Sequence, residues 1–186
     1  PTYFMRTFGW DAQTIGLWYG LASIIFGVIG INTGSSVAMW LRNRGYTDAN
    51  LRICLGAEAC LIPVGILASL MPTPELSMMF YCGFIFFASF SVGCQAAALQ
   101  EITPNQLRAQ VSAIYLFVTN MVGIGFGPTF IAFFTDVVFK NDASVGYSMS
   151  LAVAFACPIG VFLFWRGLKP YRECLALAKQ NYAAPS

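Results

Sequence analysis

Five long apolar stretches, separated by short polar connections, dominate the sequence. A helix crosses the hydrocarbon core of a bilayer with about 20 predominantly apolar residues, within a range of about 17 to 25. The stretches cover 14–41, 53–71, 76–99, 109–139 and 145–165. They predict an all-α integral membrane protein with five transmembrane helices. The chain reads as a single transmembrane domain over 1–186, with 166–186 as a cytoplasmic tail. Composition agrees. Only 10% of the residues are charged, against roughly 25% in soluble domains. That scarcity excludes a water-soluble globule.

The connections carry the punctuation that helix ends require. Thr73-Pro74 and Thr103-Pro104 each set a hydroxyl before a proline, the pattern of an N-cap followed by a first-turn proline. Asp48 and Asp142 are expected N-caps of the second and fifth spans. Pro63, Pro128 and Pro158 fall inside spans, where membrane helices tolerate them as kinks.

Basic residues set the orientation. Eight of the ten fall on one side: Arg42, Arg44, Arg52, Arg108, Arg166, Lys169, Arg172 and Lys179. Arg6 and Lys140 fall on the other. The positive-inside rule puts the tail in the cytoplasm and the amino end outside, as an odd number of spans requires. Trp10, Trp40, Trp165 and Tyr171 stand at span ends, where interfacial aromatics belong.

Small residues recur at helical spacing. Gly16 and Gly20 form one GxxxG pair, Gly30 and Gly34 another, and Gly20, Gly27 and Gly34 repeat every seven. Ser89, Gly93 and Ala97 do the same in the third span. Such stripes bring helices close in lipid. Sliding of glycine-rich helices during a transport cycle is the alternative reading.

Polar residues inside spans are costly and mark sites. Asn32, Ser35 and Ser36 share one face of the first span, and Ser91 and Gln95 one face of the third. In the fourth, Asn120 lies near the middle, beside a stripe of Ser112, Tyr115 and Thr119. These groups either line a hydrated cavity or hydrogen-bond between helices. Glu58 is the one acid well inside a span, about 1.5 turns from its cytoplasmic start. It is expected to pair with Arg108, Arg52 or Arg44, with a proton-carrying carboxylate as the alternative. Asp136, near the outer end of the fourth span, reads as solvated or capping.

Enzymatic readings find no support. Histidine is absent, which excludes His-based catalysis and the usual zinc sets. No phosphate loop and no paired carboxylates occur, so neither catalytic nor metal-binding residues are assigned. Gly123, Gly125 and Gly127 lie mid-membrane outside any βαβ context and read as helix-loosening residues. The six cysteines lack disulfide or metal spacing and are expected to be packing residues. A net charge of +2 gives no reason to expect a nucleic-acid partner.

The stretch from Gln100 to Gln110, with its Pro-x-x-x-Arg core at Pro104 and Arg108, resembles the connection between helices ten and eleven of major facilitator transporters. Tyr115-Leu116-Phe117, Asn120, Gly123-x-Gly125-x-Gly127-Pro128 and Thr135-Asp136 follow it. That run is similar to helix eleven of the spinster-like branch, whose members move lysophospholipids, sphingosine phosphates or unidentified organic anions. Tyr3 to Gly9 resembles the external segment after helix seven of the same branch. One motif departs from the pattern. Gly34 and Ala38 fit the loop after helix eight, but Met39 and Trp40 replace its Asp-Arg.

The resemblance implies that the five spans are helices eight to twelve of a twelve-helix, alternating-access transporter in the cell membrane. The chain would be a carboxy-terminal fragment, partnered by the bilayer and by an amino-terminal half. The cargo it implies is a small organic or lipid-like solute. No cofactor is expected, and the choice of coupling ion, H+ or Na+, stays open. Asn32, Gln95 and Asn120 are the substrate-path candidates, and Glu58, Glu101 and Arg108 the cytoplasmic-gate candidates. The alternative is a five-helix membrane scaffold or interaction subunit without transport activity.

Overall fold

A computed structural model of the protein describes residues 4–5, 9–127, 129 and 145–183. The described residues form helices and no strand. Helix α1 runs over Ala12–Asn43, α2 over Ala49–Leu70, and α3 over Pro74–Ile102. Helix α4 covers Arg108–Asn120 and passes directly into a π-helical segment, Met121–Phe126; α5 covers Val145–Ala183. Helices α1, α2, α3 and α5 are each long and apolar enough to cross a membrane. The fourth expected span, 109–139, is described over residues 109–127 and 129.

The helices pack in the order α1, α3, α2, α5, so chain order and spatial order differ. Helix α2 is the most enclosed, because its small side chains let two neighbours approach. Ala49, Ile53, Cys54, Ala57, Leu61, Gly65 and Ala68 are all buried along it. A Cβ at Gly65 would lie 3.0 Å from Val153 of α5 and 3.2 Å from Phe84 of α3. Between α1 and α3 the approach is closer. A Cβ at Gly30 would come within 2.6 Å of the Phe86 carbonyl oxygen, and one at Gly34 would strike the Phe90 carbonyl. Only glycine permits this backbone-to-backbone contact. The Gly30–Gly34 pair is therefore a packing seam. Gly16 and Gly20 are not, since open space surrounds both.

Most large apolar side chains outside these seams are exposed. Leu17, Ile24, Val28, Phe117, Ile124, Phe155 and Leu163 each stand at least half open. A soluble monomer does not carry so broad an apolar surface, whereas in a bilayer the lipid covers it. The chain is a multi-pass helical membrane protein.

The helix ends meet the expectations in part. Thr103 does not start the fourth helix. It ends α3, its Oγ1 donating to the Leu99 carbonyl at 2.7 Å, and α4 begins only at Arg108 after a turn closed by Leu107 N–H to Pro104 O. Thr73 does occupy the N-cap of α3, but its hydroxyl makes no capping bond. Asp48 likewise holds the N-cap of α2 without capping, because its carboxylate is engaged elsewhere. The fifth helix does not stop near Trp165; it continues to Ala183, through Pro158 and Pro170. Tyr171 and Leu175 on that extension are buried against Ala98 of α3, with Leu51 and Ile102 at the edge. Tyr171 is thus an internal residue and not an interfacial anchor. Expectations that concern Arg6, Pro128, Thr135, Asp136, Lys140 and Asp142 lie outside the described residues.

Candidate functional site

Two acids organise the end of the bundle where α1 and α3 finish and α2 begins. Glu101, one residue before the end of α3, forms an ion pair with Arg42 at the end of α1. Its other oxygen accepts a hydrogen bond from the Tyr171 hydroxyl of α5 at 2.7 Å. Asp48, at the start of α2, is 2% exposed. Arg52 Nε donates to Asp48 Oδ1 at 2.9 Å, one helical turn on. Arg172 of α5 places Nε 2.7 Å and Nη2 2.6 Å from Asp48 Oδ2. Tyr171 and Arg172 are adjacent, so one turn of α5 holds both acids at once. Four segments meet here: the ends of α1 and α3, the start of α2, and the extension of α5.

Electrostatics follow from this arrangement. Burial pushes the Asp48 carboxyl up, but the hydrogen bonds from Arg172 and Arg52 outweigh it, and the group sits below its ordinary value. Asp48 is therefore ionised near neutral pH and needs its cations. Two loop arginines also stack on aromatics: Arg44 lies 3.9 Å over the Trp40 ring, and Arg52, while bound to Asp48, lies 4.5 Å over that of Tyr46. A cleft of about 370 Å³ opens beside the network, lined by Arg42, Tyr46, Thr47, Glu101 and Leu175.

Of the gate candidates, only Glu101 joins this network. Arg108 Nε donates to the Thr103 carbonyl at 3.2 Å and so closes the end of α3. Glu58 makes none of the expected pairings. Arg52 is held by Asp48, Arg44 by Trp40, and Arg108 by Thr103. Distance explains the failure. Because α2 starts at Ala49, Glu58 lies 2.5 turns into it, roughly 14 Å along the axis from the first residue.

The substrate-path candidates divide in the same way. Gln95 Nε2 donates to Ser91 Oγ at 3.3 Å, as the shared face predicts, and Gln95 Oε1 accepts from the Tyr115 hydroxyl of α4 at 2.7 Å. This chain of bonds links α3 to α4. Asn32 and Asn120 meet neither Gln95 nor each other. Each turns its amide back onto its own helix, to the Val28 carbonyl at 2.8 Å and the Leu116 carbonyl at 2.7 Å respectively. Both remain exposed, as do Ser35 and Ser36. Asn120 is also the last residue before the π-helical segment, whose Gly123 and Gly125 have open space around them. A π-turn widens the helix and often marks a functional position.

Sequence reasoning assigned no role in the site to Asp48, Tyr171 and Arg172. A signal was present: an acid inside the basic loop between the first two spans, and a Tyr-Arg pair past the last span.

No protein-family model matches the chain. Over 175 residues, 93% of its length, the chain is 26% identical to a protein of Mycolicibacterium smegmatis named an MFS-type efflux pump. It spans 40% of that protein's length. Together with the membrane-length helices, this likeness supports the major facilitator superfamily.

Proposed function

We propose that the chain is the carboxy-terminal part, helices eight to twelve, of a secondary active transporter of the spinster-like branch. The whole transporter moves a small organic or lipid-like solute across the cell membrane by rocking of two halves. The carboxy terminus is cytoplasmic, as the distribution of basic residues supports. The relative's name makes efflux the first direction to test.

One observation carries this reading. Asn32 and Asn120 are exposed on membrane helices, and α4 has no buried residue at all. Polar amides are costly against lipid, so that surface belongs against water or protein. A missing half that encloses a hydrated path supplies both. Asn32, Gln95 and Asn120 then line the path, with Gln95 held in place by Tyr115. Glu101 and Arg108, with the Asp48 network beside them, secure the cytoplasmic gate. Glu58 was grouped with them from sequence, but its depth argues for a separate role.

The test is reconstitution of the longer protein that contains this segment. Asn120→Ala is expected to slow solute flux while insertion and yield stay normal. Unchanged kinetics would move Asn120 to a packing role.

A further inference from the structure

Glu58 is an acid that the cytoplasmic network leaves unused. It lies roughly 14 Å along α2 from Ala49, inside a helix long and apolar enough to cross a membrane. It is half-buried, and among the described residues it takes part in no ion pair or side-chain hydrogen bond.

Its surroundings are specific. The carboxyl packs on bare backbone of α5 at Gly160, where a Cβ would lie 3.6 Å from Oε2 and 3.8 Å from Cδ. The titratable groups near it are thiols: Cys54 on its own helix and Cys157 on α5. Helix α3 adds Cys94, next to Cys54, and farther toward the cytoplasm Glu101, whose charge Arg42 meets. Among the described residues no cation pairs with Glu58: Arg52 and Arg172 are bound on Asp48, Arg42 on Glu101, Arg44 on the Trp40 ring and Arg108 on the Thr103 carbonyl. An ionised carboxylate at this depth without a cation is costly, and the neutral acid is the cheaper form.

We infer that Glu58 is a proton-binding site in the seam between α2 and α5. The closed seam holds the carboxylic acid. When the seam opens to water, the O–H bond breaks, the proton passes to water and the carboxylate remains. The inference rests on the membrane placement of α2 and α5 and does not require that the protein transport anything.

Infrared spectroscopy of the full chain in lipid nanodiscs tests it. At neutral pH the wild type is expected to show a protonated-carboxyl C=O stretch that shifts in D2O, and Glu58→Gln is expected to lose the equivalent of one carboxyl per chain. A protonated-carboxyl band of unchanged intensity in Glu58→Gln would overturn the assignment. Gly160→Ala, whose added methyl is accommodated at ordinary contact distance, gives a second readout that keeps the acid. The band is expected to move in that variant, and an unmoved band would show that Glu58 does not sit in the seam.

Discussion

Arg172 of α5 reaches Asp48 at the start of α2 with two nitrogens on one carboxylate oxygen, at 2.6 and 2.7 Å. Residues 124 positions apart are joined, and the acid is almost wholly buried. This contact fixes the extension of α5 beneath the bundle and brings Tyr171 to Glu101.

Asp48→Asn removes the charge that two arginines share. A hydrogen bond to a charged group is worth about 1.5 to 3 kcal/mol. The half-exposed arginines can turn to water, so the expected loss is about 2 kcal/mol. Thermal unfolding in detergent should show a lower midpoint for Asp48→Asn than for wild type. An unchanged midpoint would mean that the pair contributes nothing.

Acid should erase that difference. The folded-state value of Asp48 lies below its unfolded value, so its contribution is fully present above the ordinary Asp range. It is lost as pH falls through the lowered folded value, once native Asp48 takes up its proton. Wild type and Asp48→Asn should therefore differ at neutral pH and converge in strong acid. A gap that persists there would place its origin elsewhere.

Tyr171→Phe tests the second acid. The ring stays buried while its hydrogen bond to Glu101 goes, at an expected cost of about 1 kcal/mol. The Arg42–Glu101 pair is half-exposed on the arginine side, and exposed pairs contribute about 0 to 1 kcal/mol. Arg42→Ala is accordingly expected to destabilise less than Asp48→Asn in the same unfolding measurement.

The glycines separate by the same logic. Gly34→Val has to push α1 away from the Phe90 carbonyl, and overpacking of this kind costs about 1 to 3 kcal/mol. Gly16→Ala and Gly20→Ala meet nothing and should be tolerated. Yield of folded protein and thermal midpoint report both; equal losses at Gly16 and Gly34 would contradict the seam.

The sequence makes the spans legible because apolar length is a strong, local signal. The starts of α1 and α3 are legible within a few residues for the same reason. Helix ends are less so: Thr103 has a capping residue's chemistry, yet the backbone of α3 reached it first. The site was legible where partners share a helix, as with Ser91 and Gln95, or where a motif marked the residue, as with Glu101. Asp48 and Arg172 were not, since their contact depends on how far α5 runs and which way it turns. The expected pairing of Glu58 with the loop arginines fails because α2 starts at Ala49, 2.5 turns before it. A turn of helix decides whether a carboxylate meets a guanidinium.

The most direct test of the account compares two reconstituted proteins: the 186 residues alone, and the longer transporter of which they are proposed to be a part. Flux of fluorescent lysophospholipids and organic anions into proteoliposomes is measured for each. The account predicts flux by the longer protein and none by the isolated chain. Transport by the 186 residues alone, or no transport by the longer protein, would contradict it.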